Sequence, residues 1–156
     1  MSGVFSVYHQ IADFMDSILL LVCRSTGSRN IKKNAFDLGG RIPFVRDKRI
    51  NLFKGLFEDT LSEFLRAYNR KNTLVVHIDA DLYSSALFVL VSLHSYFRNG
   101  DIIIFDDFQD PLGEFRAFSD YCQAFRVKPK IISAVKYGSF FDKAAFTINN
   151  FNREKK

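Results

Sequence analysis

Apolar and polar positions fall into a regular alternation of strand and helix patterns from about residue 50 onward. RINLFKG (49–55) reads as a short strand closed by a glycine, and DTLSEFLRAY sets Leu61, Phe64, Leu65 and Tyr68 at helical spacing behind Asp59 or Thr60 as N-cap. After the polar turn NRKN comes the β-branched run TLVVHIDA. Ser84 or Ser85 is then placed to cap a long apolar helix, SALFVLVSLHSYF, which Asn99-Gly100 would end in the left-handed manner. DIIIFDD is a second buried strand, PLGEFRAFSDYCQAF an amphipathic helix after Pro111, and KIISAVKY and AAFTINN two closing strands. That order predicts an α/β fold with a parallel, doubly wound sheet and an antiparallel finish. Residues 9–25 are apolar enough for a helix, whereas 25–33 and FDLGGRIPF (36–44) read as loop.

The whole chain has 156 residues with 47% apolar content, enough for one domain with a packed core. Its longest apolar run, residues 18–23, is too short to span a bilayer and lacks the flanks of a secretory leader, so no membrane segment is expected. Two cysteines, Cys23 and Cys122, make neither a disulfide framework nor a metal-ligand spacing, which leaves the cytoplasm as the default location. A formal charge of +5 raises nucleic acid as a partner, but the basic residues are scattered and the densest group is the terminal REKK, so no nucleic-acid partner is expected. The 18 Phe residues read as core, because stacking platforms interleave aromatic with basic positions on one strand and neither candidate strand does so.

Chemistry concentrates where the two buried strands end. HIDADLYSS carries Asp79 and Asp81, and IIIFDDF carries Asp106 and Asp107. If those strands are neighbours, all four carboxylates emerge at one carboxyl edge, where open α/β sheets bind ligands. The 27 positions between Asp79 and Asp106 suit one strand end, a helix and the next strand. Gathered carboxylates repel, and a hard divalent cation such as Mg²⁺ or Ca²⁺ relieves that repulsion. The competing reading makes them N-caps, but one helix needs only one cap, so Asp79 and Asp81 cannot both serve. His77, inside an apolar strand, reads as a core histidine.

On these residues the chain resembles the macrocin-type O-methyltransferase family, S-adenosylmethionine-dependent enzymes of the class I Rossmann-like fold that methylate hydroxyls of sugars and other small molecules. The likeness runs over about 36–146, through FDLGG..P, KGLFEDTL, HIDADLYSSALFVL, NGDIIIFDDF and GEFRAFSDY. It implies Mg²⁺ held by Asp79, Asp106 and Asp107, and Asp81 as the base that deprotonates the acceptor hydroxyl. It further offers Gly55 and Phe57, in the loop after a strand, as contacts to the adenine of S-adenosylmethionine.

One expected part is missing. Such enzymes cradle the cofactor on a glycine-rich turn after the first strand, yet no E-F-G-x-x-x-G-x-S-like segment precedes residue 36. A shift of reading frame accounts for what stands there: the family's YGFDSFxGLPEHWR can be written across the codons of residues 13–27, with the fixed bases of Met15-Asp16 giving its glycine. The expectation is therefore a truncated methyltransferase sheet with its first strands missing or degenerate: residues 1–30 out of frame, disordered or helical, 31–150 the C-terminal part of the domain, and 151–156 a basic tail. Such a chain would be inactive alone, and its uncovered sheet edge would draw copies together. The nucleotide sequence around Met1 and Gly27 tests the frame shift directly.

Overall fold

The computed structural model describes residues 18–22 and 46–149. Among the described residues nine elements follow in order: β1 (Ile18–Val22), β2 (Ile50–Lys54), α1 (Phe57–Ala67), β3 (Val75–Ile78), α2 (Tyr83–Leu93), β4 (Asp101–Phe105), α3 (Glu114–Phe125), β5 (Lys128–Tyr137) and β6 (Phe140–Asn149). The alternation expected from residue 50 onward is present in full. The FDLGG loop, the frame-shift reading of residues 13–17 and 23–27, and the basic tail lie outside the described residues.

The strands divide into two sheets rather than one. β1 and β2 form a parallel pair, while the larger sheet runs β3-β4-β6-β5, with β3 parallel to β4 and both β6 pairings antiparallel. The expected parallel strands with an antiparallel finish are present as this mixed sheet, in which β3 is an outer strand among the described residues. Residues 18–22 are also corrected, from helical or disordered to a strand: a short, wholly apolar run has no periodicity to choose between the two, and pairing with β2 decides it.

Each helix buries one stripe. On α1 the stripe is Phe57 and Leu61 with Phe64, Leu65 and Tyr68 partly buried, and on α2 it is Ala86, Val89, Leu90 and Leu93. α3 buries Glu114, Ala117, Phe118 and Tyr121 at the same spacing, so a carboxylate stands in a row of core residues. These stripes meet one face of the larger sheet, where Ile103, Phe105, Ala144, Phe146 and Ile148 complete the same cluster. Phe118 seals the contact, with ring centroids 4.9 Å from Phe105 and 4.8 Å from Phe146. The alternate strand positions Ile102, Ile104, Ala145 and Thr147 are only half-buried and stand outside that cluster.

Capping departs from expectation. α1 starts at Phe57 with Leu56 as N-cap, so Asp59 and Thr60 lie inside its first turn, where the Thr60 hydroxyl donates to the Leu56 carbonyl at 2.9 Å. α2 starts at Tyr83 with Leu82 as N-cap, which puts Ser84 and Ser85 within the helix. It ends at Leu93, and the positive φ of Gly100 (89°) serves the turn into β4 instead. α1 opens on the buried Phe57 and α2 on the half-buried Tyr83, and neither start has a side-chain cap bond.

The N-terminal end of β4 is pinned by a buried ion pair. Arg70 donates from both terminal nitrogens to Asp101, at 2.7 and 2.5 Å, and Asp101 also accepts from the Leu74 and Arg98 backbone N–H groups. Asp101 is 1% exposed, yet four donors satisfy it, and Arg70 reaches the Tyr96 carbonyl as well.

Candidate active site

The parallel register of β3 and β4 pairs Ile78 with Phe105, so the two strands end side by side. The last ladder bond runs from the Asp106 N–H to the Ile78 carbonyl at 3.1 Å. Beyond it the two acidic segments leave the sheet together, which is the juxtaposition that the spacing of the motifs anticipated.

Asp79, Asp81 and Asp107 converge: one carboxylate oxygen from each lies within 4.8 Å of the others. None of these residues, nor Asp106, caps a helix, since α2 and α3 have Leu82 and Gly113 at their N-caps without a side-chain cap bond. Asp81 takes a left-handed backbone (φ 54°), unusual for a residue other than glycine and costing of order 1 kcal/mol. A tight Leu82 N–H to Ala80 carbonyl contact of 2.5 Å accompanies that turn, and Ala80 itself is buried.

Crowding shows in the protonation equilibria. Burial, followed by a hydrogen bond and charge repulsion from Asp81, pushes the Asp107 carboxyl up to about 6. Asp79 is exposed as a residue, but the protein around its carboxyl desolvates it, and Asp106 and Asp81 repel it, so it too is raised. Their mutual repulsion when ionised is of the kind that a compensating positive charge relieves.

Asp106 is placed differently from the expectation that it joins Asp79 and Asp107. Its carboxylate receives the Lys143 ammonium from β6, and His77 Nε2 approaches it at 3.7 Å. His77 and then Lys143 hold the carboxyl down at about 2, although at 3.7 Å the imidazole contact is an ion-pair approach longer than a hydrogen bond. His77 is accordingly a half-buried partner of the site rather than a purely core histidine.

Two residues escaped the sequence reading. Lys143 was invisible because β6 returns antiparallel beside β4 only through tertiary pairing, which sets Ala144 opposite Phe105. Glu114, 0% exposed, accepts from the Ala80 N–H at 2.7 Å and the Asp107 N–H at 3.2 Å. Its burial pushes the carboxyl up to about 7 despite those two donors. A signal for it did exist in the sequence: a Glu in register with Ala117, Phe118 and Tyr121 on a buried helix face demands a partner.

The suggested adenine contacts, Gly55 and Phe57, lie beyond the end of β2. Phe57 is 7% exposed and part of the core cluster. Gly55 has φ 155°, and a Cβ there would sit 2.8 Å from the Thr60 methyl, a packing reason for glycine at that position.

Carboxylates gathered at the carboxyl end of parallel strands lie where α/β sheets bind ligands. The sequence model of the macrocin-O-methyltransferase (TylF) family matches residues 26–143, and the chain belongs to that family. Among solved structures it is similar to the O-methyltransferase NovP, with a TM-score of 0.51 and 24% identity over 65% of this chain and 38% of that one. The likeness shows the fold, and the chain spans well under half the length of that relative, fitting a partial, C-terminal segment. No curated protein matches the sequence. None of the described helices is long and apolar enough to cross a membrane.

Proposed function

We propose that the chain carries the metal and base side of an S-adenosylmethionine-dependent, Mg²⁺-dependent O-methyltransferase acting on a hydroxyl of a sugar or other small molecule. The observation that carries this reading is the convergence of Asp79, Asp81 and Asp107 at the end of the paired strands. An all-oxygen set of mutually repelling carboxylates suits a hard divalent cation. Asp79 and Asp107 would hold it, with Asp106 joining once Lys143 gives way, and when bound it would lower the pKa of an acceptor hydroxyl.

The chain's own residues then have distinct tasks. Asp81 takes the hydroxyl proton, its carboxylate directed by the strained turn that also buries Ala80. S-adenosylmethionine, when bound, would supply the methyl group to the oxygen that Asp81 deprotonates and would leave as the thioether. Lys143 balances the charge of Asp106 on the flank of the site, with the His77 ring beside it.

The described residues supply much less for the cofactor. No glycine-rich turn of the expected kind precedes residue 36, and Phe57 is committed to the core. The reading therefore includes that the isolated chain binds Mg²⁺ without supporting methyl transfer by itself. Isothermal titration calorimetry tests both parts. Mg²⁺ or Mn²⁺ should bind in a manner lost in Asp107→Asn, and S-adenosylmethionine should give no tight isotherm. Absence of metal binding would refute the metal site, and tight cofactor binding would refute the inactive-alone part.

A further inference from the structure

We infer that Glu114 is a positioning residue whose single carboxylate clasps the two acidic segments and so sets the spacing of Asp79, Asp81 and Asp107. The inference rests on the proposed metal site for its functional meaning, but the clasp is a matter of geometry on its own.

The ladder between β3 and β4 stops at the Asp106 N–H bond to Ile78. Past that point no backbone hydrogen bond among the described residues joins the two segments, and their carboxylates push them apart. Glu114 bridges them: Oε1 takes the N–H of Ala80, which lies between Asp79 and Asp81, and Oε2 takes the N–H of Asp107. It does so from the first turn of α3, whose next residues on that face, Ala117, Phe118 and Tyr121, are locked in the core. The clasp is thereby referred to the rigid body of the domain.

Packing of α3 on the Asp81 turn reinforces it. A Cβ on Gly113 would lie 3.0 Å from the Asp81 carbonyl oxygen, so the helix start abuts the backbone of that turn. Mere filling of the space would be served by an apolar side chain, and one more carboxylate beside four others is unfavourable electrostatically. The two acceptor oxygens and the reach of Glu are what the position uses. Gln presents one acceptor oxygen and sets an amide NH₂ against the other donor, while Asp keeps the charge and is one methylene too short.

Hydrogen–deuterium exchange on the full chain, paired with Mn²⁺ titration, provides the test. In the wild-type protein the Ala80 and Asp107 amides should be protected although they lie past the ladder, and unprotected amides would overturn the clasp without any variant. Both Glu114→Gln and Glu114→Asp should speed exchange across residues 79–82 and 106–109 by about tenfold or more, with β3 and β4 unchanged. Mn²⁺ affinity should fall by roughly tenfold to a hundredfold in both, the range for outer-shell partners of metal ligands. Wild-type exchange in either variant, or retained affinity in Glu114→Asp, would overturn the proposal, since the latter would mean that charge and not reach is what matters. Lower thermal stability with unchanged Mn²⁺ affinity would also overturn it, leaving Glu114 a structural residue. If wild-type protein takes up no Mn²⁺, the metal site fails while the exchange arm still decides the clasp.

Discussion

Strand β4 carries carboxylates at both of its ends, and their surroundings are opposite. At the start, Asp101 is enclosed by Arg70 and backbone donors, so its charge is fully answered. At the finish, Asp107 faces Asp79 and Asp81 and is pushed up to about 6 by burial and by those neighbours. Residue type and burial alone would rank Asp101 as the more unusual acid. The partners show that it is architecture, whereas the carboxylates at the crowded end face one another and make up the proposed cation site. A buried acid with its donors in place holds a fold together, whereas acids left facing one another make a candidate site.

The contrast can be broken most forcefully at the satisfied end. Asp101→Ala should cost about 3–5 kcal/mol, because it strands the Arg70 guanidinium in a site where it is 9% exposed. Chemical denaturation measures this, and a loss under 1 kcal/mol would remove Asp101 from the architecture.

At the crowded end the same kind of change should act on binding. Asp107→Asn should lower Mg²⁺ affinity by roughly 100-fold, about 2.7 kcal/mol, while leaving stability equal or higher through relief of repulsion. Calorimetric titration and melting, run on the same sample, separate the two effects.

pH sharpens the difference further. Asp107 and Glu114 have folded values raised to about 6 and about 7, above their unfolded ones, so the folded state holds protons more tightly there. Their protonation favours the fold at low pH, and that contribution is lost as pH rises from about 4 to about 7. Asp106, lowered to about 2, acts the other way, and its contribution is lost only as pH falls below about 4. Without metal, melting should therefore occur a few degrees lower at pH 7.5 than at pH 5.5, and Mg²⁺ should restore more at the higher pH. Scanning calorimetry that finds the reverse would contradict the crowding.

Smaller effects are expected at the periphery. Lys143→Met frees Asp106 from a partly exposed cation and should raise Mg²⁺ affinity about threefold, with a change in stability under about 1 kcal/mol. Cys122, whose thiol is pushed up to about 12 by burial, should be alkylated by iodoacetamide at pH 8 far more slowly than a free thiol, in a Cys23→Ser background. Mass spectrometry before and after denaturation reads it directly.

Much of this was legible in the sequence. Periodicity placed the elements from β2 to β6 in order, because strand and helix patterns differ where one face is buried. The carboxylates at the ends of HIDAD and IIIFDD were visible as a candidate site for the same reason: an apolar strand that stops in acids must deliver them to an edge. Helix starts were less legible, as Leu56 and Leu82 show: each helix begins at an N-cap without a side-chain cap bond and takes the polar cap candidates into its first turn.

What the sequence determined by itself, then, is the order of elements, the family, and the four acids at the strand ends. Tertiary structure decided which acids meet. Register brought Asp79, Asp81 and Asp107 together, the antiparallel return of β6 delivered Lys143 to Asp106, and the buried face of α3 delivered Glu114 to both acidic segments. Local pattern encodes which face of an element is apolar. It does not encode which residue, 37 positions from Asp106 in the case of Lys143, lies within hydrogen-bonding reach once those faces have packed.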